Sequence, residues 1–215
     1  MKKTFLCVFF VLLLCGCKSN QLKQPSLQGM IYNDNNEPVS DVRIYLKDSQ
    51  IAISDIYGHF SLSTLDYGDS YELVFKKENY ESINMSFSYL NPTQVIYVKM
   101  YSAKELLATA EKYVNQKKYD EALDILERAT AADGPFLSIN YLKSVIFYLK
   151  KDYESALKIA NEIVDSGYKD FYVYLLIADI YEYGLDDLQK SKEYLEEAIS
   201  ISYSPEVQER ILKHD

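Results

Sequence analysis

Two stretches of the sequence, KYDEA at residues 118–122 and DYESA at residues 152–156, share one pattern. Their alanines, Ala122 and Ala156, are 34 positions apart. A third, weaker copy places Ser191 in the same role, 35 positions further on, with an extra residue expected in its internal turn. Self-similarity at a fixed period of about 20 to 50 residues is typical of proteins that stack one supersecondary unit repeatedly. The pattern therefore predicts a stack of repeats in the second half of the chain.

Helical spacing of apolar residues begins at Ala103 and identifies the repeated unit as helical. Ser102 and Glu105 form a capping-box pattern, which satisfies free amide donors at the start of a helix. The repeat length and its recurring residues resemble the tetratricopeptide repeat, which implies two packed helices, A and B, in each unit. The positions that carry the resemblance are Ala110, Tyr113, Tyr119, Ala122, Leu126 and Ala129; then Ser144, Phe147, Tyr153, Ala156 and Ala160; then Ala178, Tyr181, Ser191, Leu195 and Ala198.

A last helix is expected to start at Ser204-Pro205, because serine is a common cap and proline is favoured at the first helical position. This helix would cover the exposed end of the stack, which solenoids need for solubility. Residues 103–215 are therefore predicted to form one tetratricopeptide-repeat domain with a C-terminal capping helix.

A concave groove formed by the A helices is a further implication of the resemblance. Four tyrosines in one groove would suit recognition of a protein or peptide, the predicted partner. The alternative is that these tyrosines pack between repeats. The predicted groove residues are Lys104, Leu107, Glu111, Val114, Tyr141, Val145, Tyr148, Tyr172, Leu175, Asp179 and Tyr183.

Residues 27–100 show a different pattern from the helical spacing of residues 103–215. Short alternating apolar runs are separated there by turn residues. This pattern is typical of an all-β module. The predicted strands are Leu27–Tyr32, Val42–Lys47, Gln50–Ser54, His59–Leu62, Tyr71–Lys76, Ser82–Phe87 and Gln94–Lys99.

The order of these elements resembles the carboxypeptidase-regulatory-like, transthyretin-like domain. The resemblance rests on Gly29, the polar turn 33–38 that ends in proline, the strand 42–46 and the motif SDIYGHF at 54–60. It implies a seven-stranded sandwich that is usually an accessory module. The predicted fold is thus multidomain: an all-β seven-stranded sandwich followed by an all-α tetratricopeptide-repeat solenoid.

Other sites within this β-region are possible on composition. Asp34, Asn36 and Glu37 could ligate calcium, although a hairpin turn explains them better. His59 and Asp55 could form a catalytic pair, but no nucleophile motif accompanies them. A glycan- or peptidoglycan-binding surface is the alternative function of the β-module, with Tyr45, Tyr57 and Tyr89 as possible members of an aromatic platform.

The N-terminus predicts export and lipid anchoring. A basic start precedes ten apolar residues (5–14), which are too few to span a bilayer, for which about 20 are needed, but match a signal peptide. The stretch LCGC at 14–17 resembles the bacterial lipobox, which implies cleavage after residue 16 and lipid on Cys17. Residues 1–16 are then the signal peptide and 17–26 the lipidated cysteine and tether. Lys18 follows in place of a retention aspartate, which slightly favours the outer membrane where the cell has one.

Composition limits the remaining functions. The net charge is −9, and it becomes −11 when Lys2 and Lys3 leave with the signal peptide, so nucleic acid is not expected as a partner. The three cysteines lie at positions 7, 15 and 17, which leaves no thiol for disulfides in the body of the protein. No phosphate loop, metal spacing or nucleophile motif is present, so neither an enzyme nor a cofactor is predicted. The expected protein is a non-catalytic adaptor in the cell envelope.

Overall fold

The computed structural model describes residues 26–213, which form seven β-strands followed by seven α-helices. No helix within this range is both long and apolar enough to cross a bilayer. All seven predicted strands are confirmed, each within one residue at either end. The elements are β1 Leu27–Tyr32, β2 Arg43–Leu46, β3 Ser49–Ile53, β4 His59–Leu62, β5 Ser70–Lys76, β6 Ile83–Ser88, β7 Val95–Lys99, α1 Ala103–Asn115, α2 Tyr119–Ala131, α3 Phe136–Leu149, α4 Tyr153–Asp165, α5 Phe171–Asp179, α6 Leu188–Ile201 and α7 Pro205–Lys213.

The strands form two sheets, one of three strands in the order β4-β1-β7 and one of four in the order β3-β2-β5-β6. Strand β1 pairs antiparallel with β4 and parallel with β7. Both sheets contribute side chains to one hydrophobic cluster, which includes Ile31, Ile44, Leu62 and Phe75. The alternating apolar residues therefore share one core, as their period of two predicts.

The contact between Gly29 and Phe60 explains why the sequence has a glycine and a phenylalanine at these two positions. They lie opposite each other on β1 and β4. A Cβ atom at Gly29 would lie 2.2 Å from Cζ of Phe60, so the ring covers the place of a side chain. Phe60 in turn contacts Phe75 of the other sheet, with ring centroids 5.7 Å apart. Glycine is needed here for the close approach of an aromatic ring.

The helices pack in successive pairs, α1 with α2, α3 with α4 and α5 with α6. Small side chains lie fully buried where the members of a pair meet, as Ala110 and Ala122 do in the first pair. In the second pair the buried Ser144 hydroxyl donates a hydrogen bond to the Ala156 carbonyl oxygen at 2.8 Å. The residues that carry the 34-residue period thus hold each pair together.

The extra residue of the third repeat lies in a helix, so the prediction that it lies in the internal turn is wrong. Three residues separate the two helices in every repeat, at 116–118, 150–152 and 185–187. A π-helical turn, Ile180–Gly184, instead continues α5. One turn of π-helix takes up an additional residue because its hydrogen bonds span five residues rather than four.

The last helix, α7, begins at Pro205 as predicted and covers the end of the stack. Its buried residues Val207 and Ile211 pack against Ala178 and Leu195 of the third repeat. The first helix also begins as predicted, since Ser102 and Glu105 form both hydrogen bonds of the capping box.

Hydrogen bonds and an ion pair, in addition to the continuous backbone, connect the β-region to the first repeat. The Glu81 amide donates to the Tyr101 carbonyl oxygen, and the Ala103 amide donates to that of Asn79, both at 2.9 Å. The Arg128 guanidinium forms a two-bond ion pair with the Glu81 carboxylate at 2.8 and 2.7 Å and lies over the Tyr101 ring. The pair holds α2 against the turn between β5 and β6.

Glu81→Gln is expected to lower the free energy of unfolding by about 2 kcal/mol, because a partly buried pair with two charge-assisted hydrogen bonds is lost. Asp120→Asn is the matched control, since it breaks a 2.6 Å ion pair with Lys150 in which Asp120 is 84% exposed. Such exposed pairs contribute at most about 1 kcal/mol and often nothing measurable. Urea unfolding of the full chain measures both variants, and equal losses would contradict a specific role for Glu81.

Candidate functional site

The predicted groove residues of the first repeat divide into two kinds. Lys104 and Glu111 are exposed on α1. Leu107 and Val114 are partly buried and pack against the core of the first repeat. This part of the predicted groove presents one positive and one negative charge to solvent and no exposed aromatic ring.

The predicted groove residues of the second and third repeats include all four tyrosines. Tyr172 and Tyr183 are each 63% exposed, near opposite ends of the helix formed by α5 and its π-helical turn. Tyr141 and Tyr148 of α3 are partly buried and belong to the packing between repeats. Packing between repeats thus accounts for Tyr141 and Tyr148, whereas Tyr172 and Tyr183 are exposed and their role in a groove stays a prediction. Val145 and Leu175 are partly buried in the same region.

Carboxylates lie beside these tyrosines. Burial raises the pKa of Tyr141, and the nearby charges of Asp170 and Asp179 raise it further. Burial likewise raises the pKa of Tyr148, with Asp179 as the next cause. In both cases a negative neighbour disfavours the phenolate. The charge of Asp179 thus acts on the pKa of both α3 tyrosines.

Arg210 of α7 reaches into the same region. One terminal nitrogen (Nη2) of its guanidinium donates to Asp179 at 2.8 Å and to Glu182 at 2.7 Å. The guanidinium also lies 5.8 Å from the centre of the Tyr183 ring, within the range of a cation–π contact. A hydrogen bond to Glu182 raises the pKa of Tyr183. These contacts bring the cap and the third repeat together around one set of polar groups.

We call this set the tyrosine–carboxylate cluster. It combines four tyrosines, three carboxylates and one guanidinium on helices α3, α5 and α7. Its members Asp170, Glu182 and Arg210 were not predicted from the sequence. The three-residue spacing of Asp179 and Glu182 indicates a shared helix face, but no local signal connects either to Arg210. The cluster consists of Tyr141, Tyr148, Asp170, Tyr172, Asp179, Glu182, Tyr183 and Arg210.

The structure changes which tyrosines can belong to the candidate aromatic platform of the β-region. Tyr89 is fully buried, so its predicted membership of an exposed platform is wrong. Tyr45 is half-buried, and Tyr57 is exposed. Tyr97, which was not predicted, is 60% exposed and lies beside Met30 on the outer face of the three-stranded sheet.

The polar residues of the same region have structural partners. Asp34 forms an ion pair with Lys99 at 2.6 Å. The Asp55 carboxylate accepts backbone hydrogen bonds from Tyr57 and His59, as a turn residue does. Across residues 26–213, no group of three or more His, Cys, Asp or Glu side chains could hold a metal ion. Cys17, the predicted lipidation site, lies outside the described residues.

Comparison with known proteins supports the helical part of this interpretation. The sequence profile of the tetratricopeptide repeat matches residues 171–205, which contain α5, the π-helical turn and α6. The segment 171–205 is therefore of the tetratricopeptide-repeat type. A search of curated protein sequences gave no match.

Several solved structures resemble this part of the chain. MamA from Desulfovibrio magneticus RS-1 is 18% identical, over 53% of this chain and 64% of its own, with a TM-score of 0.45. The TPR2AB domain of yeast Sti1, solved in a complex with pHSP90, is 21% identical over 52% and 45%, with a TM-score of 0.47. The first tetratricopeptide domain of human RPAP3 is 21% identical over 52% and 88%, with a TM-score of 0.47. The chain thus spans less than two thirds of the first and second of these structures.

Proposed function

We propose that this protein is a non-catalytic adaptor of the bacterial cell envelope that binds a protein or peptide through its repeats. The carrying observation is the pair of exposed tyrosines, Tyr172 and Tyr183, on the helix that α5 and its π-helical turn form. Large aromatic side chains with a polar tip are the residues that most often dominate protein interfaces. The profile match to the tetratricopeptide repeat covers the same helix.

The location is part of the proposal and is supported by the N-terminal sequence. The signal peptide at 1–16 and the lipobox-like LCGC imply an acylated Cys17, and two or three acyl chains give stable membrane attachment. Residues 17–26 then tether the β-module close to the membrane. The β-module would be an accessory domain of the carboxypeptidase-regulatory-like type, which presents the repeats to their partner.

Glycan binding by the β-module is the second candidate function. The observation that favours it is the exposure of Tyr57 and Tyr97, since flat aromatic surfaces suit sugar rings. His59 on β4 and Tyr97 on β7 both pair with Met30 of β1, and the ring centroid of His59 is 6.4 Å from that of Tyr57. Binding to insoluble peptidoglycan that depends on Tyr57 and Tyr97 would support this candidate.

Crosslinking in the producing cells, followed by affinity capture, tests the adaptor function. We expect Tyr172→Ala/Tyr183→Ala to lose the main crosslinked partner and to keep its helical circular dichroism. Tyr57→Ala/Tyr97→Ala is the matched control, because it removes two equally exposed tyrosines from the β-module. Loss of the partner only in the control would reject the groove and favour the second candidate. Fractionation of the same cells tests the anchor, since Cys17→Ser should release the protein from membranes.

A further inference from the structure

The structure brings two loops to the end of the β-module where the N-terminal part of the chain enters. Leu27, the first residue of β1, is paired with Leu62, the last residue of β4. The next residue of β1 is paired with Val95, the first residue of β7. The loop that follows β4 (63–69) and the loop that precedes β7 (89–94) therefore both lie beside the start of β1. We call these two segments the entry loops.

Direct contacts join the entry loops into one surface. The Gly68 amide donates a hydrogen bond to the Tyr89 carbonyl oxygen at 2.8 Å, and the Tyr89 amide donates to that of Asp69 at 2.9 Å. The Tyr67 ring packs nearly at a right angle against the buried Tyr89 ring, with centroids 6.0 Å apart. The two loops therefore present their exposed side chains together.

The exposed side chains of this surface suit a membrane interface. Tyr67 is 54% exposed and Leu90 is 63% exposed, and Val95 at the end of the second loop is exposed as well. Tyrosine favours the level of the lipid headgroups because its ring is apolar and its hydroxyl stays in contact with water. The only charged residues of the entry loops are Asp66 and Asp69, so anionic lipid would not attract them. A membrane contact here would depend on apolar insertion rather than on charge.

The position of the proposed lipid anchor selects this surface. Ten residues, 17–26, connect the anchor to β1, and a chain of that length spans at most about 35 Å. The other end of the module also exposes apolar side chains, Ile56 and Tyr57, but β7 leads from that end into the repeats. Exposure alone does not distinguish the two ends, whereas the entry of the anchored chain does.

We infer that the entry loops rest on the membrane that holds Cys17, with the side chains of Tyr67 and Leu90 inserted among the lipid headgroups. The inference rests on the lipid anchor of the proposed function and adds a second contact to it. The anchor restrains the distance of the β-module from the bilayer, and the second contact also fixes its orientation. Because β1 and β7 run parallel away from the entry loops, the chain then enters the repeats on the side away from the membrane.

Vesicle binding with a weak artificial anchor tests this contact. Cys17 is the only cysteine after residue 16, so N-tetradecylmaleimide attaches one acyl chain there in the purified chain 17–215. A single chain of this length binds membranes only marginally, so a second contact measurably raises the affinity. Sedimentation with phosphatidylcholine vesicles measures the partition, which should not fall as salt is raised.

Tyr67→Ser/Leu90→Ser is expected to weaken this partition at least about tenfold, because two apolar side chains no longer insert. Tyr203→Ser/Leu212→Ser is the matched control, since it removes a tyrosine and a leucine that are 72 and 63% exposed at the C-terminal end of the repeats. We expect the control to change the partition less than about twofold. Circular dichroism should be unchanged in both variants.

Hydroxyl-radical footprinting of the unchanged chain on the same vesicles gives a second readout. We expect Tyr67 and Leu90 to react at least about threefold more slowly than in the chain coupled to N-ethylmaleimide, because insertion shields them from water. Ile56 should react equally in both samples, since it lies at the other end of the module.

Three outcomes would overturn the inference. The first is equal partition of the unchanged chain and Tyr67→Ser/Leu90→Ser, and the second is an equal loss in the control variant. The third is loss of a captured cellular partner in Tyr67→Ser/Leu90→Ser without a change in partition, since the entry loops would then bind a protein. The anchor of the proposed function fails separately, if Cys17→Ser stays in the membrane fraction of the producing cells.

Discussion

Gly29→Ala is expected to lower the free energy of unfolding by about 3 kcal/mol, at the upper end of what overpacking a core costs. The new Cβ would lie within 2.8 Å of three atoms of the Phe60 ring. That ring cannot move aside without losing its contact with Phe75, since both rings are buried between the sheets. Urea unfolding of the full chain, followed by circular dichroism, measures the loss.

A double-mutant cycle identifies the cause of this loss. Phe60→Ala alone should cost about 3 to 5 kcal/mol through the cavity that it leaves. Adding Gly29→Ala to Phe60→Ala should cost less than about 1 kcal/mol more, because the clashing ring is then absent. If Gly29→Ala costs the same with and without the ring, the glycine is required for another reason.

Arg210→Gln is expected to loosen the C-terminal cap by about 2 kcal/mol, between the values for exposed and for buried ion pairs. The side chains of Arg210, Asp179 and Glu182 are 27, 32 and 14% exposed, and loss of the cation leaves two carboxylates facing each other. Hydrogen–deuterium exchange of α7 should therefore become more than about tenfold faster, since 1.4 kcal/mol corresponds to a factor of ten.

Lys213→Gln on the same helix is the control for Arg210→Gln. Lys213 forms a 2.8 Å pair with Glu209, and both side chains are about two thirds exposed. This change should leave the exchange of α7 as it is in the unchanged protein, because solvent screens the pair. Similar acceleration in both variants would mean that α7 responds to any loss of charge and that Arg210 has no special role.

Local patterns predicted most of the fold. The strands were predictable because alternation in each of them matches one buried face, as in β1 and β5. Gly29 and Phe60 were noted through the family resemblance before their contact was known. The helical repeats were predictable because Ala122, Ala156 and Ser191 must be small wherever two helices approach closely.

Contacts between distant residues were not predictable in the same way. Glu81 and Arg128 are 47 positions apart, and Asp179 and Arg210 are 31 apart, so no local spacing connects them. The 35-residue interval revealed an extra residue, but a turn is the usual place for an insertion. Nothing local indicates a π-helical turn whose Gly184 lies against the ring of Tyr153. For the candidate site, family resemblance supplied the tyrosines and Asp179. Their role as a groove stays a prediction.

The parallel pairing of β1 with β7 has a mechanical consequence. The N-terminal part of the chain leads into β1, and β7 leads directly into α1. When the chain before β1 and the repeats are pulled apart, these neighbours slide past each other, and the hydrogen bonds from Gln28–Val95 to Tyr32–Lys99 share the force simultaneously. Bonds loaded in shear resist more tension than bonds opened one after another. Under the proposed anchoring at Cys17, tension between the membrane and a partner on the repeats would therefore load this strand pair in shear.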